Sequence, residues 1–267
     1  LFSAPDGGPV SPAATLVYTH DDLGRLQTIT ETQADGSTRI TEYTYDQNGR
    51  LIRLAAPEGT IDYAYDPATG QHTRTTTSHT ETWYGHDDLG RLETVTVTRE
   101  DGRELGEPRA VSYAYDDLGR RAAQQLPNGT TTFYDYDSLN RLTSIAHHNA
   151  TDDLLASFNY TLRPDGRRVA VEEMSFVVPP SGGSLQQQIR QIAYTYDALN
   201  RLTAESSGGE TPAAVRYTTD YTYDLVGNRL RKRTERQVDP DNARLELTDA
   251  QFDANDRLIS ETLNDHG

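Results

Sequence analysis

The chain has 267 residues, 34% of them apolar, and a formal net charge of −16 from 41 acidic against 25 basic side chains; that balance disfavours nucleic acid and anionic membranes, which need clustered Lys and Arg. With no cysteine there are no disulfides or thiolate metal sites, and no run of about 18 apolar residues offers a transmembrane helix. Sixteen tyrosines against five phenylalanines, one tryptophan and one methionine exclude a thick aliphatic core and suit thin, half-wet layers, because tyrosine buries its ring while its hydroxyl reaches a partner or water.

Residues 1–15 read as a linker-like segment, opening Leu1-Phe2-Ser3-Ala4-Pro5-Asp6-Gly7-Gly8-Pro9, and 16–267 as a single repeat domain cut from a longer polypeptide. A phrase, Tyr-x-Tyr-Asp-x-Leu-Gly/Asn-Arg-Leu, then returns along the chain. It starts at Tyr18 with His20 in the second tyrosine position, and returns as Tyr43-Thr44-Tyr45-Asp46 with Gly49-Arg50-Leu51. A weaker copy has Tyr63, Tyr65 and Asp66; the next starts at Tyr84 with His86, Asp87 and Gly90. Full copies follow at Tyr113, Tyr115, Asp116 and Gly119, and at Tyr134, Tyr136, Asp137 and Asn140. Phe158-Asn159-Tyr160 with Asp165-Gly166-Arg167 is weak; Tyr194, Tyr196, Asp197 and Asn200 restore the pattern. Tyr221, Tyr223 and Asp224 carry one extra residue before Asn228, and Phe252-Asp253 with Arg257-Leu258 closes the series of ten.

Each part of the phrase has a structural reason. Tyr-x-Tyr puts two rings on one face of a strand. The aspartate accepts backbone N–H bonds two residues on, starting an Asx-type turn. The Gly/Asn position takes residues that tolerate a left-handed backbone, and Arg-Leu opens the return strand. Pro57-Glu58-Gly59, Pro127-Asn128-Gly129, Asp35-Gly36 and Asp101-Gly102 are reversal signals for the opposite ends. Val177-Val178-Pro179-Pro180-Ser181-Gly182-Gly183-Ser184 reads as a loop insertion.

Two strands of about six to eight residues plus two short turns use roughly 20 residues. The expected fold is therefore all-β: tandem antiparallel hairpins, about twenty strands, in one long curled or spiralling sheet, a partial shell or tube. At about 4.8 Å per strand the sheet extends roughly 95 Å along its hydrogen-bonding direction. A propeller blade needs twice the observed period.

The phrase resembles the YD repeat of RHS-repeat proteins, a family that includes bacterial polymorphic toxins, shell subunits of insecticidal toxin complexes and teneurins; the likeness runs from about Tyr18 to Leu258. It implies a hollow β-sheet cocoon, which in the toxins encloses a C-terminal effector. The self-cleaving region with paired aspartates and the variable toxin domain that follow in the family are not found here.

No catalytic residue, cofactor or metal ligand is expected. Asp46-Gln47-Asn48-Gly49 suggests a calcium loop, but position twelve is Pro57 rather than an acid, and the aspartates are serial rather than a unique catalytic pair. His20 and His86 are packing substitutes, His147-His148 a surface loop, and Arg231-Lys232-Arg233 a solvated strand end. Tyr45, Tyr65, Tyr115, Tyr136, Tyr196 and Tyr223 are expected to stack on neighbouring rings; the alternative is an aromatic groove for sugars. The reading that follows is a non-enzymatic shell or scaffold segment of an exported bacterial protein. Its partners are the rest of its polypeptide, a toxin cargo, and other copies through open sheet edges. An adhesion or carbohydrate-binding module is the alternative.

Overall fold

The structure, a computed structural model, describes residues 14–178, 184–209, 216–239, 242–255 and 257–266. The linker expected at 1–15 lies outside these as far as residue 13, and the loop insertion lies outside over 179–183. The described residues form twenty strands and no helix. They fall into two compact units, Leu1–Tyr113 and Ala114–Gly267.

The first unit contains β1 (Ala14–His20), β2 (Leu26–Gln33), β3 (Thr38–Tyr45), β4 (Leu51–Ala56), β5 (Gly59–Tyr65), β6 (His72–Thr76), β7 (Glu81–His86), β8 (Leu92–Glu100) and most of β9 (Arg103–Tyr115). Each pairs antiparallel with the next in sequence. The second unit contains β10 (Arg121–Gln125), β11 (Thr131–Tyr136), β12 (Leu142–His148), β13 (Leu154–Leu162), β14 (Arg168–Val177), β15 (Gln186–Tyr196), β16 (Leu202–Gly209), β17 (Arg216–Tyr223), β18 (Arg229–Asp239), β19 (Asn242–Phe252) and β20 (Leu258–His266). The same neighbour-to-neighbour antiparallel pairing runs from β10 to β20. Threonine, tyrosine and β-branched residues fill these strands because a half-buried pleated surface suits them. In β8, Leu92-Glu93-Thr94-Val95-Thr96-Val97-Thr98 is typical.

The turns sort by end. Most odd-to-even connections turn at the aspartate of the phrase, with the left-handed residue three positions after it: Gly49 has φ 82°, Asn140 63° and Asn200 69°; at Asp66 it comes four positions on, at Gly70, and β13 turns into β14 through Arg163-Pro164-Asp165-Gly166. Beside the turn, the return strand carries one extra residue. Thr44 faces Arg53 and Tyr45 faces Leu51, so Ile52 is skipped, a bulge of the kind that re-aims a side chain. At the other ends, Asp101 (φ 50°) and Gly102 (φ 75°) join the Glu100–Arg103 pair as a two-residue turn with both φ values positive, which matches the strand twist.

The core is thin. Among the described residues, the buried apolar side chains are Val171, Ile192 and Ala250; Val171 and Ile192 face each other across β14 and β15. All three lie in the second unit, and no described side chain of the first is buried. Two expectations need correction. His147 and His148 are half-buried residues of β12 rather than a loop; His147 Nδ1 lies 2.9 Å from the Thr132 hydroxyl on β11, a polar partner that lets it sit in a strand. Arg231-Lys232-Arg233 lies within β18, where Arg231 Nε donates to Asp249 on β19 at 2.6 Å.

Candidate functional site

With so little buried apolar surface, the feature that recurs is the turn itself. At Asp46, Oδ1 accepts the backbone N–H of Asn48 and of Arg50, both at 2.9 Å. Its Oδ2 accepts Arg50 Nε at 2.7 Å, and the main chain closes with Asp46 N–H donating to Arg50 O at 2.9 Å. The aspartate thus holds the turn backbone with one oxygen and the arginine four residues on with the other. The same clasp forms at Asp21–Arg25, Asp87–Arg91, Asp116–Arg120, Asp137–Arg141, Asp197–Arg201 and Asp253–Arg257. The Arg141 guanidinium, then its N–H, hold the Asp137 carboxyl below the usual carboxylate range. At Asp46 the Arg50 N–H is the larger cause.

Four of the clasped arginines also reach a ring of the next repeat, while Arg141 reaches forward to Arg163 O at 2.8 Å and Pro164 O at 3.3 Å. In those four the guanidinium lies over the next repeat's second tyrosine: Arg25 is 4.6 Å from the Tyr45 ring centre, Arg50 4.7 Å from Tyr65, Arg120 4.6 Å from Tyr136 and Arg201 4.9 Å from Tyr223. The tyrosine hydroxyl returns the contact. Tyr45 donates to Leu26 O at 2.9 Å, Tyr65 to Leu51 O at 2.9 Å, Tyr136 to Arg121 O at 3.0 Å and Tyr223 to Leu202 O at 2.8 Å. Arginine Nη1 completes the joint on the next turn: Arg120 donates to Asp137 O at 3.2 Å and Asn140 Oδ1 at 2.9 Å, and Arg201 to Asp224 O at 2.7 Å. Tyr196 follows a variant in which Arg167 lies 5.7 Å from its ring centre and its hydroxyl donates to Arg168 O at 2.8 Å.

The second tyrosines Tyr45, Tyr65, Tyr136, Tyr196 and Tyr223 thus meet guanidinium groups where ring stacking is expected, and Tyr65 also contacts the His72 ring at 5.5 Å. An aromatic face is electron-rich, and a held guanidinium satisfies it better than a second ring. The first tyrosines of the phrase sit apart from this joint. Tyr43 faces Leu54 and Tyr134 faces Ile145 across their hairpins, and Tyr63 contacts His72 at 5.9 Å. Burial raises the phenol pKa of Tyr194 and Tyr221. Tyr113 and Tyr115 close the first unit and open the second. The signal for the arginines in the sequence is their recurrence four residues after seven of the aspartates.

The turn at Asp224 corrects the sequence alignment. Gly227, at φ 109°, is the left-handed residue, so no residue is inserted. Asn228 occupies the arginine position: its N–H donates to Asp224 Oδ1 at 2.8 Å and its Nδ2 to Oδ2 at 2.9 Å. In the first unit an open depression is lined by Asp66, Thr69, Gln71, Tyr84, His86 and Asp87. Asp88 lines it as well, and the other two carboxylates are engaged. Asp66 accepts Thr69 N–H and hydroxyl, and Asp87 is clasped to Arg91. Among the described residues no group of three or more His, Asp or Glu is placed to hold a metal ion.

Comparison with known proteins bears on this arrangement. No curated protein matches the chain. Of the solved structures, a mutant Tc holotoxin pore from Photorhabdus luminescens is similar at TM-score 0.52 and 15% identity, over 95% of this chain and 17% of that one. The TcdB2–TccC3–Cdc42 crystal structure gives 0.49 and 15%, over 95% and 15%. The chain spans less than a fifth of the length of either. The RHS repeat family model matches residues 20–61 and 115–151, each containing two of the clasped turns described above, so these two stretches are similar to RHS repeats.

Proposed function

We propose that this chain is a structural, non-enzymatic segment of a larger exported protein, a piece of wall that encloses or displays another polypeptide such as a toxin. One observation carries the reading. The residues able to do chemistry, the serial aspartates and arginines, are spent on their own turns and on the neighbouring repeat. Seven of these carboxylates are each held by two backbone N–H groups and a guanidinium, Asp66 by Thr69 and Asp224 by the Asn228 amide, arrangements that fix a backbone rather than poise a group for proton transfer. Repeat proteins stabilised by nearest-neighbour joints of this kind present extended surfaces. We further propose that the repeat region from residue 16 onward acts as one scaffold, and that Tyr45, Tyr65, Tyr136, Tyr196 and Tyr223 are its inter-repeat pins.

The test is protease protection. An unfolded reporter polypeptide is fused after Gly267, and its digestion is timed against that of the free reporter. Enclosure or close display predicts slower digestion, lost when Arg120 and Arg141 are both replaced by alanine. Equal digestion rates for fused and free reporter count against the proposal.

A further inference from the structure

The third and fourth repeats meet without the joint found at Tyr45, Tyr65, Tyr136 and Tyr223. Where the clasped turns carry arginine, the Asp66 turn has Gln71, whose carbonyl takes the Asp66 N–H at 2.8 Å and closes the turn. Where the second tyrosine of the next repeat would lie, the chain has His86. Both partners are replaced in one place, and there an open depression of about 700 Å³ is lined by Asp66, Gln71, Tyr84, His86, Asp87 and Asp88. Both turns lie inside the first unit.

What is left over matches the missing group. At Arg120 the guanidinium is held from three sides: by Oδ2 of its own aspartate, Asp116, by the backbone carbonyl of the next, Asp137, and by the Tyr136 ring. Asp66 is engaged through Oδ1, which accepts the N–H groups of Ala68 and Thr69 and the Thr69 hydroxyl. Among the described residues its Oδ2 accepts no hydrogen bond. Asp87 O accepts the Gly90 N–H at 2.8 Å and, among the described residues, no side-chain donor. Gln71 does not fill the space, since its Nε2 donates to Gly90 O at 2.9 Å. Nor does Arg50 of the preceding turn, whose guanidinium is held by Asp46 and covers Tyr65.

We propose that this depression is a vacant guanidinium socket that takes an arginine side chain from a second polypeptide. The incoming guanidinium donates to Asp66 Oδ2 and Asp87 O, with His86 and Tyr84 beside it; Tyr84 is backed by the His72 ring at 4.6 Å. The net charge of −16 draws basic segments toward the chain. A flat fork of donors, which an ammonium lacks, selects arginine over lysine. The template is the set of four joints in which an arginine of this chain fills the same position. The inference rests on that geometry and holds whether or not the chain encloses anything.

The peptide acetyl-Gly-Arg-Gly-amide is titrated into the full nitrogen-15-labelled chain and followed by its amide shifts. Saturable shifts confined to residues 66–73 and 84–90 are expected, with a dissociation constant on the order of millimolar. The citrulline peptide, of the same shape and neutral, and the lysine peptide should each bind roughly tenfold more weakly. Asp66→Asn keeps an oxygen for the Ala68 and Thr69 N–H groups and puts an amide in place of Oδ2. It should weaken the arginine peptide by about the same factor, its fold verified by an unchanged spectrum outside 66–73 and 84–90. Gln71→Arg, which restores the residue of the clasped turns, should fill the socket from within and abolish binding. Shifts that spread over the chain without saturating, equal affinity for the arginine and citrulline peptides, or undiminished binding by Gln71→Arg or by folded Asp66→Asn overturns the proposal.

Discussion

The inter-repeat joint can be measured at Tyr223, whose ring lies 4.9 Å from Arg201 and whose hydroxyl donates to Leu202 O at 2.8 Å. Tyr223→Phe keeps the ring under the guanidinium and removes one part-buried hydrogen bond, worth about 1 kcal/mol. Tyr223→Leu also removes the cation–π contact, a further ~1 kcal/mol for a partly desolvated pair. Arg201 cannot be read from its single substitution, because alanine there also breaks the clasp to Asp197. The double-mutant cycle of Arg201→Ala with Tyr223→Leu cancels that loss and leaves the pairwise term, expected at about 1 kcal/mol. The assay is native-state hydrogen exchange of the β16 and β17 amides, since a chain held by neighbour contacts opens locally. Tyr223→Phe should speed exchange about fivefold there, with little change in β11 and β12. Additivity within about 0.3 kcal/mol in the cycle would mean that the ring and the guanidinium are merely near each other, and the joint would lose its energetic meaning.

Three further outcomes follow from the turns. Gly24 has φ 77° and nothing within 4 Å of the position a Cβ would take, so Gly24→Ala meets only the left-handed backbone penalty, about 1–2 kcal/mol by thermal unfolding; Gly106→Ala, equally open but without positive φ, should cost nothing. Asp46 and Asp137 have folded pKa values below 3.8, so their contribution is fully present above that pH and is lost as pH falls through the lowered values. Circular dichroism from pH 6 to pH 2 should show loss of strand signal beginning near pH 4, and a shallower profile for Asp137→Asn; superimposable profiles would contradict the clasp. Asn228→Arg should install the cation–π half of the joint against Phe252, which occupies the tyrosine position of the following repeat. A gain of about 0.5–1 kcal/mol should appear as slower exchange in β19.

The fold was legible because what makes it is local. An aspartate, a glycine or asparagine three residues later and alternating threonines on either side fix a hairpin without reference to the rest of the chain. The joint was not, because its partners lie far apart in sequence: Arg201 bonds Asp224 O, 23 residues on. The recurring arginine was visible, but a strand-opening residue and an inter-repeat pin look the same in one dimension. At Gly227-Asn228 composition offers two residues for one left-handed position, and only the backbone, with φ 109° at Gly227, distinguishes them. Beside Asn149 and Asp152, His147 and His148 read as a loop, a poor guide where strands have no deep core. Edge contacts of His148 with Phe133 and of His147 with Phe158 show that they pack as aromatic strand residues.

Why arginine recurs, and not lysine, follows from the number of tasks performed at once. Nε and one terminal nitrogen engage the aspartate of the same turn, the other terminal nitrogen reaches the next turn's carbonyl, and the flat face covers a ring. A lysine ammonium has three donors on one atom and no face, so it can hold the aspartate or reach forward, but not both with a ring beneath it. Two natural departures within the chain separate these tasks. Gln71 reaches forward: its Nε2 donates to Gly90 O at 2.9 Å, while Thr69 takes over the bonds to Asp66. Asn228 keeps the clasp, holding Asp224 Oδ2 through its amide at 2.9 Å. Each shorter amide does part of what the guanidinium does alone, and each lies in a repeat whose turn still forms. The clasp and the forward arm are therefore separable: the first makes a hairpin, the second joins hairpins. A substitution that spares the aspartate contacts but shortens the arm, such as Arg120→Gln, should leave the Asp116 turn intact and loosen its hold on the Asp137 turn.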